Sequence, residues 1–448
     1  MTQFTDFALA KPIKQRVAEN GYTTPSPIQQ QAIPPALEGK DILGIAQTGT
    51  GKTAAFSLPS IHHLLNNKRK PGRNECRMLV LAPTRELARQ IADSMIGYSK
   101  GLGLYVTSAF GGVPINRQKR ILQRGVDVLV ATPGRLLDLH DQRSLDLGKV
   151  EILVLDEADQ MLDLGFIVPL KKIVPLLPRK RQSLFFSATM PKTISQLADQ
   201  FLTNPVQVSV APQSTTAERV NQKVTYIEQA DKQRLLKDFV NQENPDHMLV
   251  FTQTKHGADK VVKNLNAVGI HAAAIHGNKS QPQRERALGD FRKGKINILV
   301  ATDIAARGID VDGVSHVINF DMPNVPEQYV HRIGRTARAG ASGISFSMVA
   351  PDERQFLRDI VKLTGVKPDV VPLPEGYDEP SREEVAPRIY GQKPKRYSAK
   401  PTRGGPPKNK HSNRKGRPGG GPKKKGGPKH WNNAAKSFKR RQKRKVDA

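Results

Sequence analysis

Two tandem α/β domains built on parallel sheets, followed by a basic disordered tail, are what the sequence predicts, on three observations. Short apolar, β-branched runs alternate with longer amphipathic stretches, the pattern of βαβ units. The alternation stops near Val210–Ala217 and then restarts. It ends near Lys367, where Pro, Gly, Lys and Arg take over.

In the first half the strand-like runs are Asp41–Ala46, Met78–Ala82, Tyr105–Ala109, Val126–Ala131, Glu151–Leu155 and Ser183–Ser187. Helical patterns such as Arg85–Tyr98 and Ile115–Gln123 lie between them. Runs that are apolar throughout need cover on both faces, as parallel strands have, and right-handed crossovers follow. The joint at Val210–Ala217 is polar, carries a proline and lacks periodicity. The second series is Met248–Phe251, Ala272–Ile275, Ile296–Ala301, His316–Phe320 and Ile344–Val349. Helical stretches near Lys255–Val268, Gln283–Arg292, Pro326–Ile333 and Asp352–Leu363 separate them. The expected bounds are 1–209 for the first domain, 218–366 for the second and 367–448 for the tail.

Charge sets the class of partner. Of 448 residues, 71 are Lys or Arg and 41 Asp or Glu, a net charge of +30. The stretch from Ser381 to the C-terminus holds +20 of it, on 23 basic and 3 acidic residues. So basic a balance points to a polyanion, nucleic acid before an anionic membrane. The tail has too little apolar surface to offset its ordering entropy, so disorder and non-specific RNA contact are expected of it. A plain solubilising spacer is the alternative. The one cysteine, Cys76, permits neither an internal disulfide nor a thiolate metal cluster. The N-terminus lacks the charged lead and apolar run of a signal peptide, and no apolar stretch approaches the roughly 20 residues that span a bilayer. A soluble, cytoplasmic protein without membrane contact is expected.

The strand Asp41–Ala46 runs into Gln47-Thr-Gly-Thr-Gly-Lys-Thr53, and a helical pattern follows. This is the strand–loop–helix setting of a phosphate-binding loop. Gly49 and Gly51 let the backbone curl so that its N–H groups, those of Thr48 and Thr50 among them, face phosphate oxygens. Lys52 is expected to reach the β- and γ-phosphates of ATP, and Thr53 to ligate Mg²⁺. The strict pattern opens with Gly, where this chain has Ala46. An ordinary Gly-rich turn is the alternative, and Lys-Thr at a strand-to-helix switch argues against it. The strand Glu151–Leu155 ends in Asp156-Glu157-Ala158-Asp159. A hydrophobic strand delivering a carboxylate at its end is how such folds hold their metal. Asp156 is expected to hold Mg²⁺ through water, and Glu157 to orient the attacking water. Alone, this string reads as an acidic helix N-terminus; beside the loop it does not. His276 and His331 have no further His or Cys at ligand spacing, so no transition-metal site is expected.

With Asp-Glu-Ala-Asp the chain resembles the DEAD-box RNA helicases, and the match covers nearly all of Phe4 to Gly365. Gly21-Tyr-Thr-Thr-Pro-Ser-Pro-Ile-Gln29 is similar to the family's Q motif, with Phe4 as its aromatic companion. Ala46–Thr53 resembles motif I, where Ala in first place is the family norm. Pro83-Thr-Arg-Glu-Leu-Ala88, Gly111-Gly112 and Thr132-Pro-Gly-Arg135 resemble the strand-gripping motifs, and Ser187-Ala-Thr189 resembles motif III. Leu249–Thr252, Gln281–Arg284, Ala301–Asp310 and His331–Arg338 are similar to the motifs of the second half. In the last of these the family usually has Gly where this chain has Ala337. Within the family the likeness is to the bacterial RhlE-like branch.

The resemblance implies two RecA-like domains and assigns roles. Gln29 can pair with the adenine N6–N7 edge, and Tyr22 is placed against the adenine face; without the family, Gln29 reads as a surface residue. Arg335 and Arg338, three apart and so on one face if helical, would act as arginine fingers. Asp310 would accept from the ribose, and His331 would couple the sites. RNA sugar and phosphate would meet Thr84, Arg85, Gly112, Thr132, Gly134 and Arg135 of the first domain. From the second domain they would meet Gly277, Arg284 and Thr302. Contacts of this kind carry no base sequence information. The implied activity is RNA-stimulated ATP hydrolysis coupled to local unwinding of short RNA duplexes and RNA or RNP remodelling. Ribosomal and RNA-decay complexes are partners the family suggests. The alternatives are a non-catalytic RNA chaperone or clamp, and a DNA-directed helicase.

Overall fold

Every residue of Cys76–Leu81 and of Val126–Ala131 is buried, as strands covered on both faces must be. The computed structural model describes residues 2–47, 49–210, 220–306, 311, 313–337 and 343–381. Its first sheet consists of β1 (Ile42–Ile45), β2 (Cys76–Leu81), β3 (Val106–Ala109), β4 (Val126–Ala131), β5 (Ile152–Leu155), β6 (Gln182–Ser187) and β7 (Val206–Ser209). Their order is β3-β4-β2-β5-β6-β1-β7, with every pairing parallel. Alternate residues serve opposite cores. Met78, Val80, Val128 and Val154 join one cluster, and Leu79, Leu81, Leu129 and Leu155 the other.

The second sheet repeats the plan with β8 (Val220–Tyr226), β9 (Met248–Phe251), β10 (Ala272–Ile275), β11 (Ile298–Ala301), β12 (His316–Asn319), β13 (Gly343–Val349) and β14 (Asp369–Val370). The order is β10-β11-β9-β12-β13-β8-β14, again parallel. Each sheet is the core of one RecA-like lobe, as the sequence led one to expect.

Three strands escaped the sequence pattern. β7 and β14 are edge strands with exposed positions, so their apolar runs are broken. β8 is interior but carries polar residues inward: Gln222 is 5 % exposed, and its carbonyl accepts from the Tyr329 hydroxyl at 2.8 Å.

The expectation of disorder from residue 367 does not hold for its first fifteen residues. Val371 N–H donates to Val224 at 2.8 Å, and Leu373 and Tyr377 pack against the second lobe's core. The Tyr377 hydroxyl donates to Asp238 at 2.6 Å, with the Arg234 guanidinium 4.3 Å from its ring centroid. Leu373 and Tyr377 lie in a Pro- and Gly-rich stretch without periodicity, so pattern reading passed over them. The rest of the expected tail, and the joint at 211–217, lie outside the described residues.

Candidate functional site

Of the expected functional residues, those of the phosphate loop, Thr84, Thr132, Asp156, Glu157, Gly277 and Thr302 follow the carboxyl ends of strands, the edge where α/β sheets bind ligands, whereas Tyr22, Gln29, Arg284 and Arg335 come from elsewhere.

The phosphate loop follows β1. Gly49 and Gly51 adopt φ of +85° and +92°, which a side chain would resist. Gly51 caps the helix Lys52–Asn66. The Lys52 ammonium, 5 % exposed, donates to the Ala46 carbonyl at 2.9 Å, so it is held at the mouth of the loop. Thr53 stands in the helix's first turn. The Thr50 hydroxyl donates to Gln47 at 2.7 Å. Thr48 lies outside the described residues.

A second segment grips this loop. Ser26 caps the helix Pro27–Leu37, and its N–H donates to the Gln29 carbonyl oxygen at 2.8 Å. The Gln29 amide nitrogen then donates to Gly51 at 3.1 Å, and the Ser26 hydroxyl donates to Thr50 at 2.7 Å. A Cβ on Gly51 would lie 2.4 Å from the Gln29 nitrogen. Each half of the Gln29 amide keeps one further hydrogen-bonding position. Tyr22 is 44 % exposed and lies 6.3 Å, centroid to centroid, from Phe4.

Asp156 and Glu157 follow β5, both 3 % exposed. Burial, with Glu157 as close company, pushes the Asp156 carboxyl up to about 7, although Lys52 opposes the shift. A buried pair of carboxyl groups beside a phosphate-binding loop fits a divalent cation. Glu157 adopts φ of +53°, a left-handed turn that starts the helix Ala158–Asp163. Asp159, to which the sequence assigned no role, accepts from Ala188 N–H at 3.0 Å and from Thr189 N–H and hydroxyl at 3.0 and 3.2 Å.

In the second lobe the helix Pro326–Ile333 ends before Arg335. Arg335 therefore lies beyond the helix on which it was expected to share a face with Arg338. Gly334 caps the helix and Ala337 turns left-handed at φ of +53°. Arg332, passed over in the sequence, is the structural arginine. It is 2 % exposed, makes a fork to Asp303 at 2.6 and 2.8 Å and donates to the Asp321 carbonyl at 2.7 Å. Arg335 and His331 share a cavity of about 240 Å³ with Gln47, Ala188 and Thr189 of the first lobe. Arg338 and Asp310 lie outside the described residues.

The expected RNA residues divide. Thr84 caps the helix Arg85–Tyr98, and its hydroxyl accepts from Leu87 N–H at 3.2 Å. Arg85 lies along Gly112, which adopts φ of +82° and where a Cβ would come within 1.9 Å of the guanidinium. Thr132 caps the helix Pro133–Asp141, with Gly134 open beside it. Arg135 is turned inward, donating to Val113 at 3.2 Å and Gln118 at 2.8 Å. Gly277 is exposed after β10, and Thr302 follows β11 half-buried. Arg284 pairs with Glu86 of the other lobe at 3.0 Å. His276 is bonded to Asp259 at 3.0 Å. Among the described residues no cluster of His, Cys, Asp and Glu is arranged to hold a metal by itself, and no helix is long and apolar enough to cross a membrane.

The chain resembles known proteins in sequence and in fold. Residues 26–197 match the DEAD/DEAH box helicase family model, and residues 231–340 the helicase conserved C-terminal domain. The chain is 42 % identical to the ATP-dependent RNA helicase CshA of Listeria monocytogenes, over 81 % of this chain and 69 % of that protein. It is 42 % identical to the DEAD-box ATP-dependent RNA helicase CshA of Streptococcus pneumoniae, over 82 % and 70 %. Among solved structures it resembles S. cerevisiae Dbp5 bound to RNA and ADP BeF3, with 30 % identity and a TM-score of 0.74, covering 83 % of this chain and 96 % of that one. Mss116p bound to ssRNA and AMP-PNP gives 28 % identity and a TM-score of 0.73, with 82 % and 78 % covered.

Proposed function

The chain belongs to the DEAD-box family of ATP-dependent RNA helicases, and from that premise we propose how its own residues carry the activity. It hydrolyses ATP in response to RNA and unwinds RNA. The observation that carries the reading is the cavity in which Arg335 and His331 of one lobe meet Gln47 and Thr189 of the other.

ATP lies on the first lobe. The N–H groups of the loop 48–53 and the Lys52 ammonium take its phosphates. Tyr22 supports the adenine and Gln29 reads its edge. Thr53 and, through water, Asp156 would hold Mg²⁺, which would neutralise phosphate charge. Glu157 orients a water in line with the γ-phosphorus and accepts its proton as the bond to ADP breaks. Arg335 and Arg338 offset the charge on the transferring group, an effect worth roughly 10³–10⁵ in rate, and Asp310 holds the ribose. RNA runs across both lobes on Thr84, Arg85, Gly112, Thr132, Gly134, Gly277 and Thr302, with Arg135 and Arg284 bracing the loops that present them. Each ligand bridges the lobes, so each favours closure and their coupling is reciprocal. Closure bends one strand and separates a short duplex.

The first lobe comprises residues 1–209; the second begins at 218 and runs past the expected 366 to take in β14, Leu373 and Tyr377, and the basic segment after it adds sequence-independent RNA affinity. The RhlE-like assignment rests on overall sequence character, against relatives that carry the name CshA. A cytoplasmic role in ribosomal or RNA-decay complexes fits the reading. The deciding experiment compares ATP turnover with RNA and with DNA of equal length. RNA should stimulate at least tenfold more, and Lys52→Ala should show no turnover. Equal stimulation by DNA would reject the RNA assignment, and an active Lys52→Ala would reject the phosphate loop.

A further inference from the structure

His276 follows β10, is 1 % exposed and takes no part in the machinery above. Both of its ring nitrogens are bonded. Asn278 N–H donates to Nδ1 at 3.3 Å, and an N–H can only donate, so Nδ1 is the bare nitrogen. Nε2 therefore carries the proton of a neutral ring, and it donates to Asp259 at 3.0 Å. Asp259 lies on the helix Lys255–Ala267, and the same carboxylate oxygen takes the Lys279 ammonium at 2.8 Å. Lys255, four positions earlier and so on the same helix face, donates to the Asn278 side-chain oxygen at 3.0 Å. Lys279 N–H closes the turn on the His276 carbonyl at 3.0 Å. His276, Asn278 and Lys279 are thus clamped to one helix face, and the residue between them is Gly277. It is exposed and has no positive φ, and a Cβ there would meet nothing within 4 Å, so the fold itself does not demand glycine. A bare backbone in open space suits a ligand that must come close to it.

We propose that Asp259 is a positioning residue for RNA: acting through His276, it fixes the turn that presents the Gly277 backbone to a phosphate. The inference rests on the reading of Gly277 as an RNA contact. A turn already fixed lowers the ordering cost of binding. The contact is made alike before and during ATP cleavage, so it acts on RNA affinity and not on kcat. Charge alone makes Asp259 a hindrance, since a carboxylate repels a polyanion. Positioning and repulsion therefore predict opposite signs for its removal.

The test uses the full chain with saturating ATP and a single-stranded oligoribonucleotide, and reads the RNA concentration at half-maximal turnover. Asp259→Ala should raise it about fivefold, the factor carried by one net hydrogen bond. Turnover at saturating RNA should stay within about twofold. The melting temperature should not change, because water can take the place of a side chain that is 47 % exposed, although water holds the ring in no fixed direction. Asp259→Asn keeps an oxygen for the His276 N–H and should stay within about twofold of the parent, since the Lys279 pair it weakens is partly exposed and worth little. Tighter RNA binding by Asp259→Ala, an unchanged half-saturation, an equal loss in Asp259→Asn, or a loss that comes with a lower melting temperature would overturn the proposal. Gly277→Val separates the two levels. If it leaves RNA affinity intact, the contact reading itself fails, and the proposal with it. If it weakens RNA binding while Asp259→Ala does not, the contact stands and the positioning role is rejected.

Discussion

Arg284 and Glu86 form an ion pair at 3.0 Å, though one belongs to each lobe, and their side chains are only 10 % and 6 % exposed. Arg89 and Glu285 lie nearby at 2.7 Å, with side chains 52 % and 41 % exposed. Breaking a buried pair by removing one partner costs about 3–5 kcal/mol, whereas an exposed pair is worth about 0–1 kcal/mol. Glu86→Gln should therefore lower RNA-stimulated ATP turnover at least tenfold, although Glu86 carries the wrong charge to grip a phosphate. Arg89→Ala should stay within about threefold. Steady-state turnover against RNA concentration checks both, and an unaffected Glu86→Gln would make the contact incidental to closure.

Asp159 anchors Ala188 and Thr189, which line the cavity opposite Arg335. Asp159→Ala frees two backbone N–H groups and a hydroxyl, loosening the surface against which the second lobe docks. ATP binding should persist, since Lys52 and the loop are untouched, while duplex unwinding falls more steeply than hydrolysis. Parallel assays of strand separation and phosphate release read the ratio. An unchanged ratio would refute this division of labour.

Ala337 occupies a left-handed turn at φ of +53°. That conformation costs an L-residue roughly 1–2 kcal/mol, which explains glycine as the family's usual choice. Ala337→Gly relieves the strain but loses methyl packing and frees the unfolded chain, each about 0.5–1 kcal/mol. The net change should lie within about 1 kcal/mol. Ala337→Val, β-branched, should cost more than about 2 kcal/mol. Denaturant titration decides, and a valine variant as stable as the parent would contradict the turn.

These cases mark how far the sequence could be read. β5 and β9 were legible because both of their faces are apolar. β8 was not, because Gln222 is buried by a partner, Tyr329, that lies 107 positions away. The glycines and lysine of the phosphate loop announce their chemistry locally. Nothing local says that Gly51 must lack a Cβ because Gln29 lies against it. Arg332 and Arg335 look alike in sequence, and both are buried; only the fork to Asp303 separates the internal strut from the cavity-lining residue. Glu86 likewise reads as a solvated helix charge until the second lobe is in place.

The ordered segment 367–381 divides two truncations. Removing 382–448 should leave thermal stability unchanged, weaken RNA affinity and flatten its salt dependence. Removing 366–448 also strips β14, Leu373 and Tyr377 from the second lobe, losing about 2–4 kcal/mol of burial, and bares the edge of β8 to aggregation. Melting curves and RNA titrations at several salt concentrations distinguish the two. Equal stability of both truncations would show that the segment is not structural.

The seat of Gln29 on the Gly51 carbonyl bears on how nucleotide choice could evolve. On the proposed reading the amide that senses the base also props the phosphate-binding loop. A carboxylate at position 29, suited to guanine, would face the carbonyl of Gly51 with no proton to offer. A drift in base preference thus needs a compensating change elsewhere in the loop before it can be neutral, and lineages should keep adenine for mechanical as much as for chemical reasons.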